Sequence, residues 1–372
     1  MKPSSKKISF AGPSITSHEI ERVTDAVTNG FYENYFKHTM LLEDKIREYL
    51  GVKHVIATHC CTVALHAAAL ALDLGPGDEV IVPDISWVAT AYAISYTGAT
   101  CVFVDIDPDT LCIDPPSIVN AINSKTKAIM LVHTFGHPAE MDSIMKIASD
   151  HGIAVIEDAA PALGSRYKNN LIGNHGDISC FSFQGAKLTV SGEGGVVCTN
   201  NDDLYNKLKL ICSMGRTDSQ AVFWSDQIGY QYTIANLTAA LALAQVERIN
   251  ELLAIKQTIH STYKARLGEV SHMIKLIDNA EGCQSNFCYP AIILKDSVTI
   301  SRDEILAKLK TLNIHARPAF PRMSQFPVFE ERFDNPVATL VAQRGINLPA
   351  AANLDDNDIG FVCDALLELI MS

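Results

Sequence analysis

The chain is predicted to fold as an α/β protein. A large, mainly parallel sheet should lie between helices on both faces, followed by a smaller C-terminal α+β domain. Three observations carry this. Short apolar segments recur as continuous runs rather than alternating ones, the pattern of a sheet buried on both sides. Helical segments intervene between most of them, as crossovers between parallel strands require. Beyond residue 200 the alternation stops and the texture changes. The division is placed at 1–255 for the large domain and 256–372 for the small one.

Residues 13–29 read as a helix, with Ser14 and Ser17 as candidate caps and an apolar stripe at Ile20, Val23, Ala26 and Val27. A loop rich in aromatic residues follows (Phe31, Tyr32, Tyr35, Phe36), then a helix from Leu41 to Leu50 that ends at Gly51. Strands are expected at 55–57, 79–82, 101–105, 128–132, 153–157, 178–183 and 196–199. Between them, helices are expected at 63–72, 87–96, 116–122 and 141–150, and another at 202–211. One long helix should run from Leu237 to Ile255 and on through Tyr263. The C-terminal part offers a strand at 288–294, helices at 302–312, 336–344 and 356–369, and a proline-rich loop at 317–327.

Of the 372 residues, 48% are hydrophobic, and the formal charge is -12 with no basic stripe, which argues against a nucleic-acid partner. No apolar run reaches the roughly 20 residues a membrane helix needs. The basic start Met1–Lys7 has no apolar signal core behind it, so a cytoplasmic location is expected. The ten cysteines are scattered without a CxxC pair and read as buried free thiols. His133 and His137 stand four apart, but no Glu or Cys completes a ligand spacing and Pro138 follows, so no metal is expected.

In a parallel sheet, ligands sit beyond the carboxyl ends of the strands. The turns there hold Thr62, Trp87, Asp158 and Lys187. Lys187 follows a buried strand and precedes the glycine-rich Ser191–Gly195, and a lysine in a partly apolar pocket can attack a carbonyl to give a Schiff base. Pyridoxal phosphate asks a protein for such a lysine, an acid at its pyridine nitrogen, a flat partner for its ring and donors for its phosphate. Asp158 is the candidate acid, Trp87 the ring partner, and Thr62, at a helix start, the phosphate donor with the Ser182 hydroxyl. Each has an ordinary alternative: Asp158 and Thr62 as helix caps, Ser182 bonded to backbone, Trp87 as core, Lys187 pointing to water.

Taken together, the motifs resemble the DegT/DnrJ/EryC1/StrS family of pyridoxal-phosphate-dependent sugar aminotransferases of fold type I (aspartate aminotransferase-like). The likeness rests on Thr62–His66, Gly75–Pro83, Gly98–Asp105, Ile156–Ala160, Phe181–Phe183 with Lys187, Ser191–Gly195, Gly229–Gln245 and Gly345–Pro349. It implies that Lys187 holds the cofactor and then moves protons, that Asp158 pairs with the pyridine nitrogen, and that Trp87 stacks on the ring. It implies that the Cys61 and Thr62 N–H groups and Ser182 hold the phosphate. It also implies a homodimer in which Gln231, after Tyr230, reaches the neighbouring subunit's cofactor.

Some members carry histidine for the lysine and act as dehydratases; Lys187 favours transamination. The Ser191–Gly195 turn resembles members that aminate sugar carbon 4, the perosamine-synthase-like enzymes. The chain departs from the family pattern at Cys61 (usually Gly), Pro161 (Gln or Glu), Gln231 (Asn) and Thr233 (Arg). The expected reaction moves an amino group from L-glutamate to a nucleotide-linked 4-keto-6-deoxyhexose, with Tyr230, Arg317 and Arg322 as candidate substrate contacts and the two arginines facing the diphosphate. Surface solubility is the ordinary alternative for those arginines. A keto-cyclitol or small phosphorylated ketone is an alternative substrate, and a non-catalytic regulator on the same fold is a rival of another class.

Overall fold

The computed structural model describes residues 2–216 and 224–371, and its centre is a seven-stranded sheet. The chain enters it through two helices, α1 (Ser17–Asn29) and α2 (Lys37–Leu50). Neither expected serine caps α1; Thr16 does, in a capping box with Glu19. The αL residue Gly51 ends α2, as its position predicts. The alternation that follows is β1 (His54–Thr58), α3 (Cys61–Ala71), β2 (Glu79–Pro83), α4 (Ala89–Ser95), β3 (Thr100–Val104), α5 (Pro115–Ala121), β4 (Thr126–Val132), α6 (Met141–His151) and β5 (Ala154–Asp158). A small hairpin, β6 (Arg166–Tyr167) and β7 (Asn170–Leu171), precedes β8 (Ile178–Ser182) and β9 (Gly195–Thr199). Helix α7 (Asp202–Cys212) follows.

The sheet order is β1-β9-β8-β5-β4-β2-β3. Strand β9 runs against the rest, pairing antiparallel with both β1 and β8. Alternate residues of each strand enter opposite cores. Ile81, Ile129 and Val155 pack with α2, α5, α6 and α8 (Asn236–Glu247) on one face. Val80, Met130 and Ile156 pack with α3, α4 and α7 on the other. That is why the strands read as continuous apolar runs.

The single long helix expected from Leu237 is two. α8 stops at Arg248, and α9 (Ile249–Leu267) leaves from it. The Arg248 guanidinium reaches across to Glu19 Oε1 at 2.6 Å and to the Ser14 carbonyl at 3.1 Å. This ties the break to the start of α1. Burial pushes the Glu19 carboxyl up, but bonds from Thr16, Arg248 and Gln245 overcome it and hold it at about 2.

The rest builds a second unit around its own core: β10 (Ile274–Leu276), β12 (Ala291–Leu294), α10 (Arg302–Thr311), β13 (Arg317–Pro318), α11 (Pro336–Arg344), β14 (Gly345–Asn347) and α12 (Asp356–Ile370), while β11 (Cys283–Gln284) pairs antiparallel with β6 of the hairpin. Its antiparallel sheet has the order β10-β12-β14-β13. The expected strand at 288–294 starts only at Ala291, because Phe287 has a positive φ of 48° and Pro290 has no N–H for a ladder. Its core includes Ile8, so the N-terminal arm packs with this unit.

The half-buried Glu43 on α2 accepts the Ala57 N–H of β1 at 2.8 Å, and burial pushes its carboxyl from 4.5 up to about 7. A carboxyl raised in the folded state binds more protons there than in the unfolded chain. Its contribution therefore turns against the fold as pH climbs from 4.5 to about 7. Glu43→Gln keeps the acceptor. It should stabilise the protein at pH 8 by roughly 1–2 kcal/mol after solvent screening, and leave it unchanged near pH 4. Urea unfolding at the two pH values checks this.

Candidate active site

Because β1, β2, β5 and β8 run the same way, their carboxyl ends open onto one edge of the sheet. Four of the sequence-predicted residues stand at those ends or a few positions beyond them.

Asp158 is the last residue of β5 and is buried. It is not a helix cap. Its Oδ2 accepts the Thr90 hydroxyl at 2.7 Å and its Oδ1 the Ala160 N–H at 3.1 Å. No cation hydrogen-bonds to it among the described residues. Burial therefore pushes its carboxyl up, opposed by Thr90, Ala160, the nearby Lys187 ammonium and His133. Its neighbour Glu157 faces the other way. It accepts His133 Nε2 at 3.0 Å and the N–H groups of Gly173, His175 and Gly176. His133 Nδ1 takes the Ala139 N–H, so this histidine is a fixed structural donor. Among the described residues no His, Cys, Asp or Glu cluster is arranged to hold a metal.

Lys187 lies in the loop between β8 and β9. The loop is pinned by Phe183 N–H to Gly194 O (2.9 Å), Ser191 N–H to Phe183 O (2.7 Å) and Gly185 N–H to Gly192 O (3.0 Å). Gln184 shapes the turn itself: its carbonyl accepts the Lys187 N–H at 2.8 Å and its side-chain oxygen the Ala186 N–H at 2.9 Å. The lysine is half-buried, and its Nζ makes no hydrogen bond or ion pair with a described residue. It sits 5.6 Å from the centre of the Tyr289 ring. Tyr289, which the sequence motifs do not flag, donates its hydroxyl to Ala186 O at 2.9 Å and so ties the second unit to the lysine loop. It arrives from about a hundred residues away, with no spacing signal to announce it.

The phosphate candidates meet at the start of α3. The cap residue is Cys60, with no side-chain bond, so Thr62 lies one turn position inside the helix rather than capping it. The Cys61, Thr62 and Val63 N–H groups have no acceptor within the helix, whose first backbone bond is Ala64 N–H to Cys60 O. Such an end suits an anion. Ser182, at the end of β8, pairs with Gly195 across the sheet, and its hydroxyl accepts the Gln184 N–H at 3.2 Å. Gly195 lets the two elements meet: a Cβ there would lie 2.7 Å from Cys61 N and 2.8 Å from Phe181 O. Gly195→Ala should therefore displace the helix start, weakening phosphate-ester binding at least ~10-fold and costing about 1–3 kcal/mol of stability. Equilibrium dialysis and urea unfolding read the two effects.

Trp87 lies just before α4 and is 63% exposed, so it is not core. It touches Phe320 at 6.4 Å, and its ring is open to a ligand. Arg317 is exposed and stacks its guanidinium 4.6 Å from the Phe10 ring, which stacks on Tyr289 at 5.0 Å. Arg317 therefore stands two rings from Lys187.

The other candidates are placed differently. Arg322 is buried, with Nε on Asp84 at 2.7 Å and its remaining donors on Thr339, Ser324, Phe333 O and Glu331. These partners take up its guanidinium, and the reading of it as a diphosphate contact gives way to that of a structural cation. Tyr230 stacks on Tyr232 at 4.8 Å and meets His66 edge-on, on the flank of α3. Gln231 is exposed and bonds Thr233, through Nε2, at 2.8 Å. Neither contacts Lys187 or Asp158 within this chain.

A buried carboxylate in no ion pair among the described residues, an uncovered tryptophan face, a lysine amine with no hydrogen-bond or ion-pair partner among the described residues and a helix end whose first N–H groups lack an acceptor in the helix match the pyridine nitrogen, ring, aldehyde and phosphate of pyridoxal phosphate. The residues present fit that group.

The model of the DegT/DnrJ/EryC1/StrS aminotransferase family matches residues 13–367. GDP-perosamine synthase of Caulobacter vibrioides is 35% identical over 367 residues, 98% of this chain and 99% of its own length. GDP-perosamine synthase of Escherichia coli O157:H7 is 35% identical over 364 residues, 98% of each chain. Among solved structures, Helicobacter pylori PseC, an aminotransferase involved in the biosynthesis of pseudoaminic acid, superposes with a TM-score of 0.91 at 25% identity. The match covers 98% of this chain and 100% of that one. The chain belongs to the DegT/DnrJ/EryC1/StrS aminotransferase family.

Proposed function

We propose that the protein transfers an amino group from L-glutamate to carbon 4 of a GDP-linked 4-keto-6-deoxyhexose, in the synthesis of a surface polysaccharide. The observation that carries this is the Lys187 amine, without a hydrogen-bond or ion-pair partner among the described residues and close enough to act on the buried Asp158, in a chain 35% identical to GDP-perosamine synthases over nearly its whole length. The cofactor is pyridoxal 5'-phosphate, whose aldehyde carries the amino group and whose ring withdraws electrons from the reacting carbon.

The chain's own residues do the rest. Lys187 Nζ would anchor the cofactor, take the proton from the glutamate carbon that bears nitrogen, and in the second half of the reaction give a proton to the sugar carbon that receives the nitrogen. Asp158 holds the pyridine N–H. The Cys61 and Thr62 N–H groups and the Ser182 hydroxyl bind the phosphate, and Trp87 covers one face of the ring and keeps water from it. Arg317 faces the sugar nucleotide's diphosphate.

The working unit is a homodimer. Ile20, Val27, Phe31, Tyr32, Tyr35 and Phe36 expose a large apolar surface on and after α1. Gln231, exposed in one chain, would reach the partner's phosphate site. Light scattering should give twice the mass of one chain; a monomer that turns over substrate contradicts the shared site.

The reaction is tested by incubating holoenzyme with glutamate and a panel of GDP- and dTDP-linked 4-keto-6-deoxyhexoses. Mass spectrometry should find one nucleotide sugar whose keto oxygen has become an amine, with 2-oxoglutarate formed in equal amount. No turnover of any of them would sink the substrate assignment.

A further inference from the structure

Thr90, on the first turn of α4, has no part in the chemistry described so far. Yet among the described residues it is the one side chain that donates a hydrogen bond to Asp158. Its hydroxyl lies 2.7 Å from Asp158 Oδ2, nearer than the Trp87 carbonyl at 3.1 Å. Ser86 Oγ lies 3.0 Å from Thr90 Oγ1. A hydroxyl has one proton to give. With that of Thr90 committed to the carboxylate, Ser86 must donate to Thr90. The chain of bonds then runs one way, Ser86 to Thr90 to Asp158, and each bond polarises the next. All three residues are buried, at 5%, 1% and 4% exposure.

Asp158 lies in surroundings that disfavour its charge. The groups facing it are the Lys187 ammonium from the β8–β9 loop, His133 after β4, the Cys61 thiol of α3 and the Cys180 thiol of β8. Burial drives both thiols far up, so they stay protonated and add no second negative charge beside the carboxylate. The hydroxyl of Thr90 is the strongest influence keeping the carboxylate charged. Each carboxylate oxygen has two lone pairs, so Oδ1 and Oδ2 can hold Ala160 and Thr90 and still accept a pyridine N–H.

We propose that Thr90, backed by Ser86, is a positioning residue that holds Asp158 ionised and fixed in rotation, and so sets how tightly the pyridine nitrogen of the cofactor is gripped. The proposal rests on Asp158 pairing with that nitrogen. It also explains a feature of the fold: the turn after β2 carries Trp87 for the ring face and Thr90 for the ring nitrogen, one helical turn apart.

The test compares wild type, Thr90→Val, Thr90→Ser, Ser86→Ala and Asp158→Asn. Each apoprotein is titrated with pyridoxal phosphate and with its analogue in which the ring nitrogen is replaced by carbon. Thr90→Val should bind pyridoxal phosphate about tenfold or more weakly. The acid limb of its binding, followed by the visible absorption band, should move to higher pH, because losing the bond favours the neutral carboxyl. Thr90→Ser should restore both, and Ser86→Ala should show the same change in smaller measure. The analogue should bind wild type and Thr90→Val alike.

Equal loss for both ligands would reduce Thr90 to a packing residue and overturn the proposal. So would a wild-type affinity and pH limb in Thr90→Val or, should that variant not fold, in Ser86→Ala. A normal Asp158→Asn would instead remove the pairing on which the proposal rests.

Discussion

Lys187→Ala is expected to lower transamination by at least ~10³-fold, because one residue supplies both the covalent anchor and the acid/base group. The fold should hardly notice. Nζ makes no hydrogen bond or ion pair with a described residue, and the substitution removes its approach to the Tyr289 ring at 5.6 Å. An approach of that kind is worth about 0.5–1 kcal/mol. Lys187→Arg should be as inactive as the alanine variant, since a guanidinium keeps its proton and cannot serve as nucleophile. Rates from single turnovers with glutamate, alongside urea unfolding, check both halves. An alanine variant that keeps turning over would remove Lys187 from the mechanism.

Asp158→Asn should also separate activity from stability. The amide keeps an acceptor for Thr90 but loses the charge that holds a protonated pyridine nitrogen, so turnover should fall ~10²–10³-fold. In the apoprotein the effect on stability depends on pH. Burial raises the Asp158 carboxyl above its ordinary value of 3.8. The folded state therefore binds the proton more tightly than the unfolded chain, and stability falls as pH rises from that ordinary value through the folded one. Above that window the ionised group weighs against the fold, and the amide carries no such charge. The amide also turns its NH2 on Thr90 or Ala160, a cost that does not vary with pH. The urea midpoint of apo Asp158→Asn relative to apo wild type should therefore rise from pH 4 to pH 8. A difference that does not change with pH would mean that Asp158 is held for packing rather than for charge.

Much of this is legible in the chain. Continuous apolar runs announce a sheet buried on both faces, and strand ends place Asp158, Lys187, Thr62 and Trp87 along one edge of it. What stays hidden depends on contacts between distant segments. Tyr289 meets Lys187 only because the second unit folds back over the β8–β9 loop. Arg322 looks like a free cation in a proline-rich stretch, and only the fold brings Asp84, Glu331 and Ser324 around it. The break at Arg248 follows from its reach to Glu19 and Ser14, more than two hundred positions earlier in the chain. Thr90 is nearer to being readable. It stands three residues after Trp87 at the start of a helix, and a hydroxyl there one turn from a ring partner is a signal that spacing carries.

The covalent role of Lys187 has a direct measurement. Holoenzyme is treated with borohydride, which fixes the lysine–cofactor linkage, and then digested for peptide mass spectrometry. The added mass should fall on Lys187 alone and vanish in the Lys187→Ala variant. Its appearance on another lysine, such as the buried Lys256, or on none, would contradict the site described here.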